Sequence, residues 1–106
     1  MAMDQIMVKV YGSVTPADDA MLQAVSAVAP DAVSLSGDTL LLSHEGIFFM
    51  LDDFLTALRP HLGPASSGRI DYIDMDEWTL TRHWIDNGLL TSNTASLNQV
   101  MEYSGH

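Results

Sequence analysis

The fold is decided by residues 78–89, which have the sequence WTLTRHWIDNGL. From Trp78 to Ile85 the side chains alternate with a period of two, which is the spacing of a β-strand and differs from the 3.6-residue period of a helix. Asn87-Gly88 comes next, and this pair favours a two-residue hairpin turn. The stretch therefore predicts a strand, a tight turn at Asn87-Gly88 and a returning strand from Leu89.

A helix competes with this strand. Asp74-Met75-Asp76-Glu77 has the spacing of a capping box, in which two side chains satisfy free N–H groups at a helix start. Such a helix would run through Trp84 and end at Gly88, because glycine is common just after the last helical turn. We favour the strand because the alternation has a period of two throughout, and we keep the helix as the alternative.

The first third of the chain predicts a strand, a helix and a short hairpin. β-Branched and aromatic residues alternate from Ile6 to Tyr11, which predicts the first strand. Thr15-Pro16-Ala17-Asp18 predicts a helix start with Thr15 as its cap and Pro16 at the first helical position. Pro30 ends this helix. Short strands over 32–35 and 39–43 flank a turn at Gly37.

The middle of the chain is ambiguous between strand and helix. Ile47 to Met50 are apolar on every side, which predicts a buried strand. Apolar residues at helical spacing then predict a helix over 51–59. In the alternative, Ser43 caps one longer helix that runs to Arg59.

The last third supplies the remaining elements. Glycine, proline and serine over 63–68 predict a flexible surface loop, and residues 69–73 predict a strand. Ser96 and Gln99 have capping-box spacing, which predicts a short final helix from about Leu97. The element order predicts a single α+β domain over residues 1–106, with a mostly antiparallel sheet and two or three helices packed on one face.

The charge of the chain restricts its partners. Fourteen acidic residues against four basic ones give a formal net charge of −10. Nucleic acids and anionic membranes are bound by basic residues that neutralise phosphates, so neither is an expected partner. We expect a protein partner or self-association, in the cytoplasm. Clustered acids also permit an alternative function, an acidic DNA mimic that inhibits a nucleic-acid-binding protein.

No motif in the sequence predicts catalysis or a cofactor. The chain has no cysteine, and His44-Glu45 begins like a zinc-peptidase helix but has Phe48 where the second histidine belongs. We predict no catalytic, cofactor-binding or metal-ligating residue. The alternative is a metal-dependent enzyme or small-ligand binder whose fold brings together distant side chains. Those side chains are His44, Glu45, His83, Asp71, Asp74, Asp76 and Glu77.

Aromatic and arginine side chains dominate the energies of protein–protein contacts. On an extended strand, Trp78, Arg82 and Trp84 share one face, where Arg82 stacks on the indoles or pairs with an acid such as Asp71 or Asp74. The competing interpretation buries both indoles in the core. We predict a small, acidic, non-enzymatic binding or regulatory module that acts through protein–protein contacts. Its predicted partner-binding residues are Tyr72, Asp74, Asp76, Glu77, Trp78, Arg82 and Trp84.

Overall fold

The described chain forms one antiparallel sheet with two helices. The computed structural model describes residues 6–98. In chain order its elements are β1 (Val8–Thr15), α1 (Asp19–Ser26), β2 (Val33–Ser36), β3 (Thr39–Gly46), α2 (Leu51–Leu58), a 3₁₀ turn (Arg59–His61), β4 (Ser67–Asp74), β5 (Thr79–Asp86) and β6 (Leu89–Ser96).

The six strands lie side by side in the order β2-β3-β1-β4-β5-β6, and every neighbouring pair is antiparallel. The sequence-based prediction of an α+β domain with a mostly antiparallel sheet is therefore confirmed, with two helices within residues 6–98. Each helix has eight residues, far fewer than the ~20 that cross a bilayer. Within the described residues, no helix could span a membrane.

The core lies between the two helices and one face of the sheet. Successive side chains of a strand point to opposite faces, so only alternate residues of each strand contribute to this core. We call the side that carries the helices the helix face and the opposite side the open face. Fourteen buried hydrophobic residues form one cluster: Val8, Val10, Val14, Met21, Val25, Ala32, Leu40, Leu42, Phe49, Phe54, Leu55, Leu58, Ile70 and Ile85.

The hairpin predicted at Asn87-Gly88 is confirmed. Both turn residues have positive φ, 54° at Asn87 and 80° at Gly88, as a type I′ turn requires. β5 begins at Thr79, so the alternative helix over 74–84 is wrong. The sequence predicts that Trp78 is part of this strand, but Trp78 lies in the turn before β5, with φ 58°.

The first helix begins later and ends earlier than predicted. β1 continues to Thr15, and the helix cap is Asp18, whose carboxylate accepts a hydrogen bond from the Met21 N–H at 2.9 Å. The prediction failed because both Thr15 and Asp18 are good capping residues, and the sheet pairs Thr15 with Ser67. The helix ends at Ser26, before the proline that was expected to stop it.

The buried strand predicted over 47–50 is wrong. β3 ends at Gly46, and the four apolar residues form an irregular connection to α2. Phe49 alone among them is buried, with 6% of its surface exposed, whereas Ile47 and Phe48 are 73% and 67% exposed. The single longer helix from Ser43 to Arg59 is also wrong, because Ser43 lies within β3.

The loop before β4 is shorter than predicted. Ser67 and Gly68 belong to β4, so the loop predicted over 63–68 ends at Ser66. Leu97 and Asn98 begin the predicted final helix, and the rest of that helix lies outside the described residues.

Candidate functional site

β5 divides its side chains between the two faces of the sheet. Leu80, Arg82 and Trp84 lie on the open face, and Thr81 and His83 lie on the helix face. Trp84 is 40% exposed, so it belongs to the surface and not to the core. The structure therefore brings Arg82 and Trp84 together on one uncovered strand face.

Arg82 is held in place by a carboxylate of the neighbouring strand. Its Nε donates to Asp71 Oδ1 at 2.7 Å and its Nη2 donates to Asp71 Oδ2 at 3.0 Å. Asp71 lies directly across the β4–β5 pair, and the Arg69 Nε lies 3.8 Å from its Oδ2. These hydrogen bonds raise the pKa of Arg82. The expected pairing of Arg82 with an acid is confirmed, and the bidentate geometry fixes the guanidinium plane.

A second polar pair lies on the open face between β1 and β3. The Tyr11 hydroxyl donates a hydrogen bond to Glu45 Oε2. This bond stabilises the protonated phenol and raises the pKa of Tyr11 above its ordinary value of 10.0. The centre of the open face therefore contains polar side chains that form hydrogen bonds with one another, and apolar side chains lie around them.

The charges are distributed unevenly between the open face and the rest of the surface. Strand alternation places three basic residues, Lys9, Arg69 and Arg82, on the open face together with three acids. These six charges cancel. The other described charged residues are nine acids and one base, so the helix face and the turns have a formal charge of −8. The three open-face acids are Glu45, Asp71 and Asp86.

The remaining predicted partner-binding residues do not join Arg82 and Trp84. Tyr72 and Asp74 lie on the helix face of β4. Asp76 and Glu77 lie in the β4–β5 turn, where their N–H groups donate to Asp74 Oδ1 at 3.0 and 2.9 Å. Trp78 is in the same turn. The seven predicted residues thus occupy both faces and a turn.

Trp78 is anchored to the end of β6. Its indole Nε1 donates to Asn98 Oδ1 at 3.0 Å, and its carbonyl accepts from the Leu97 N–H. It remains 38% exposed. These contacts hold the indole at one end of the sheet, away from the strand position that would align it with Trp84.

The alternative metal or catalytic set is not brought together. His44 and Glu45 are adjacent on β3 and point to opposite faces. β1 and β4 lie between β3, which carries His44, and β5, which carries His83. At ~4.8 Å per strand, β3 and β5 are therefore roughly 14 Å apart. Asp71 faces away from both histidines. Among residues 6–98, no group of three histidine or acidic side chains could hold a metal ion.

A concave groove lies on the helix face, between α2 and the strands β4 and β5. Its volume is about 640 Å³. The groove floor is formed by Tyr72, Thr81 and His83, and the wall by residues 48–53, which lead into α2. The sequence does not predict this groove, because residues 47–50 are apolar on every side and indicate a buried strand instead of an exposed wall.

His83 is the unusual side chain of the groove. Its Nε2 is buried and has no hydrogen-bond partner among the described residues. Burial lowers the pKa of His83 from its ordinary value of 6.5, while the carboxylates of Asp52 on α2 and Asp71 on β4 act in the opposite direction. The imidazole is therefore neutral near pH 7.

This lowered pKa makes the stability of the fold depend on pH. Below pH 6.5 the unfolded chain binds a proton at His83 more readily than the folded chain does. The contribution of neutral His83 to the free energy of unfolding is therefore complete above pH 6.5 and is lost as the pH falls. We expect His83→Gln to show a smaller drop in urea midpoint between pH 7.5 and pH 5.5 than the natural protein. The exposed His61→Gln variant is the control. An unchanged drop in His83→Gln would contradict the expectation.

Comparisons of the chain with protein-family models, with curated proteins and with solved structures found no match. Two surfaces therefore stand as candidates on their own geometry: the open face around Arg82 and Trp84, and the groove beneath α2.

Proposed function

We propose that this protein is a small binding module that acts through protein–protein contacts, and that its open face binds a second copy of the chain. The observation that supports this proposal is the balanced charge of the open face beside a formal charge of −8 on the rest of the described surface. Two copies that meet through their helix faces repel each other, whereas two open faces meet without net repulsion.

The open face also has the size and the side chains of an interface. The domain measures 37 by 37 by 22 Å, so the broad sheet face exceeds the ~800 Å² that each partner buries in a standard interface. Leu41, Trp84 and Leu89 expose 42%, 40% and 71% of their surface. Strand alternation places all three on the open face.

Arg82 contributes through preorganisation. Because Asp71 already holds the guanidinium in a bidentate pair, binding restricts few additional rotamers of this long side chain. Its charge is also largely balanced before a second copy arrives. Arg82 therefore presents a rigid, planar edge beside the indole of Trp84, and arginine and tryptophan are the residue types enriched in interface hot spots.

Sedimentation velocity tests the proposal. We expect the natural protein to sediment as a dimer of the 11.6 kDa chain at micromolar concentrations, and Trp84→Ala and Arg82→Ala to sediment as monomers with unchanged circular dichroism. Phe48→Ala, an exposed aromatic substitution on the other side of the molecule, should remain dimeric. A natural protein that stays monomeric, or a folded Trp84→Ala that stays dimeric, would contradict the proposal.

The salt dependence of the dimer shows whether like-charge repulsion opposes it or opposite charges hold it together. Raising the salt concentration screens the repulsion between the two acidic helix faces while costing the neutral open faces little. The dimer fraction should therefore rise between about 50 and about 500 mM NaCl, a range over which the screening length falls from roughly 14 to roughly 4 Å. A dimer that dissociates as salt increases would show that opposite charges hold it together.

A further inference from the structure

The groove lies on the opposite side of the sheet from the open face. We propose that it binds a basic amphipathic segment of another protein, with apolar side chains seated against residues 48–51 and positive charges at Asp52 and Asp53. This site is separate from the open face, and the proposal does not depend on self-association.

The apolar part of the site is held rigidly at the surface. Phe49 is buried, with its ring 5.0 Å from His44 and 5.7 Å from Phe54. The Phe48 carbonyl is hydrogen bonded to His44 Nε2 at 2.9 Å. These contacts fix the connection between β3 and α2 while leaving the Phe48 and Met50 side chains 67% and 44% exposed. Exposed apolar side chains on a fixed backbone are suited to anchor a partner at low entropic cost.

The dimensions of the groove fit side chains of a docked segment. Its volume of about 640 Å³ lies within the ~300–1,000 Å³ typical of ligand sites. It lies open between the wall at 48–53 and the strands β4 and β5. An amphipathic helix inserts its apolar side chains into such a groove from one face.

The charges at the groove select a basic occupant. Asp52 and Asp53 are exposed at its wall. Burial raises the pKa of Tyr72 on the floor of the groove, and the nearby Asp74 carboxylate raises it further. Among residues 6–98, no lysine or arginine lines the groove. The described residues of the helix face and the turns have a formal charge of −8. An acidic segment is repelled here, and a basic one is attracted over several ångströms before contact.

Fluorescence anisotropy with designed peptides tests the site. The probe is a fluorescein-labelled 18-residue helix of about five turns with leucine on one face and lysine on the other, compared with a Leu/Glu helix and a Ser/Lys peptide. We expect the Leu/Lys peptide to bind and the other two to bind at least ~10-fold more weakly. Equal binding of the Ser/Lys peptide would reduce the interaction to charge alone and overturn the proposal.

Variants locate the binding. Phe48→Ala should weaken the Leu/Lys peptide about tenfold, and Asp52→Asn with Asp53→Asn should also weaken it. The matched control, Asp19→Asn with Asp38→Asn, removes the same charge from exposed positions on α1 and the β2–β3 turn. A control that weakens binding as much as the Asp52/Asp53 pair would place the peptide elsewhere. Trp84→Ala should bind the peptide normally, so failure of this proposal and failure of self-association can be told apart.

Discussion

Replacing Phe54 with alanine is expected to lower the free energy of unfolding by about 3–5 kcal/mol. Phe54 has no exposed surface and packs against Phe49 at a ring distance of 5.7 Å, so its removal leaves a cavity beneath α2. Small domains are stable by only ~5–15 kcal/mol, and each kilocalorie shifts Tm by about 4–8 °C at this size. Thermal and urea unfolding followed by circular dichroism measure the loss.

Phe48 provides the matched control for this prediction. It is six residues away in the same segment but is 67% exposed, so Phe48→Ala should change stability by less than ~1 kcal/mol. Equal losses in the two variants would mean that Phe48 is also buried in the folded protein, and that the exposed wall of the groove does not exist.

Replacing Gly12 with alanine is expected to cost about 3 kcal/mol, at the upper end of the usual overpacking penalty. A Cβ on this residue of β1 would lie 2.4 Å from the Arg69 carbonyl oxygen and 2.9 Å from the Ile70 Cα. Both are backbone atoms of β4, so no side-chain rotation relieves the clash. The two central strands must separate, which disturbs the register that pairs Tyr11 and Ser13 of β1 with Asp71 and Arg69 of β4.

Gly63→Ala is the control for the Gly12 prediction. A Cβ there meets nothing within 4 Å, and the position has no positive φ. Its stability should change by less than ~1 kcal/mol. If urea denaturation gives the same midpoint for both alanine variants, the close approach of β1 and β4 is incorrect.

Much of the fold follows from local patterns in the sequence. The alternation from Leu80 to Ile85 and the Asn87-Gly88 turn are local signals, and tertiary packing agrees with both. The helix α2 follows from the spacing of Phe54 and Leu58, which are both fully buried.

Other features depend on contacts that are distant in sequence. The local sequence around Gly68 predicts a flexible loop, but a Cβ there would clash with the Ser13 carbonyl oxygen, so this glycine permits the close approach of β1 and β4. Apolar residues 47–50 suggested burial, whereas the end of β3 at Gly46 leaves most of them outside the sheet. Local propensity predicts the conformation that a residue prefers, whereas its contacts depend on strands that are distant in sequence.

The candidate surfaces show the same division. The choice of Asp71 over Asp74 as the partner of Arg82 required the register of β4 and β5. That Arg82 pairs with an acid could be anticipated, because period-two alternation puts it on an uncovered face. The groove could not, because its floor comes from β4 and β5 and its wall from the start of α2. The separation of charge into a neutral face and an acidic remainder also required the register of the strands.

Spin labelling tests the proposed self-association most directly, since the chain contains no cysteine to interfere with a single introduced one. Ser13 lies on the open face of β1 and Thr56 lies on α2, and both are exposed. In a dimer joined through the open faces, the sheets lie about 10 Å apart. Double electron–electron resonance should therefore give a shorter interspin distance for Ser13→Cys than for Thr56→Cys, whose labels are separated by both sheets and both helix layers. A shorter distance at Thr56, or no dipolar coupling at either position, would contradict association through the open face.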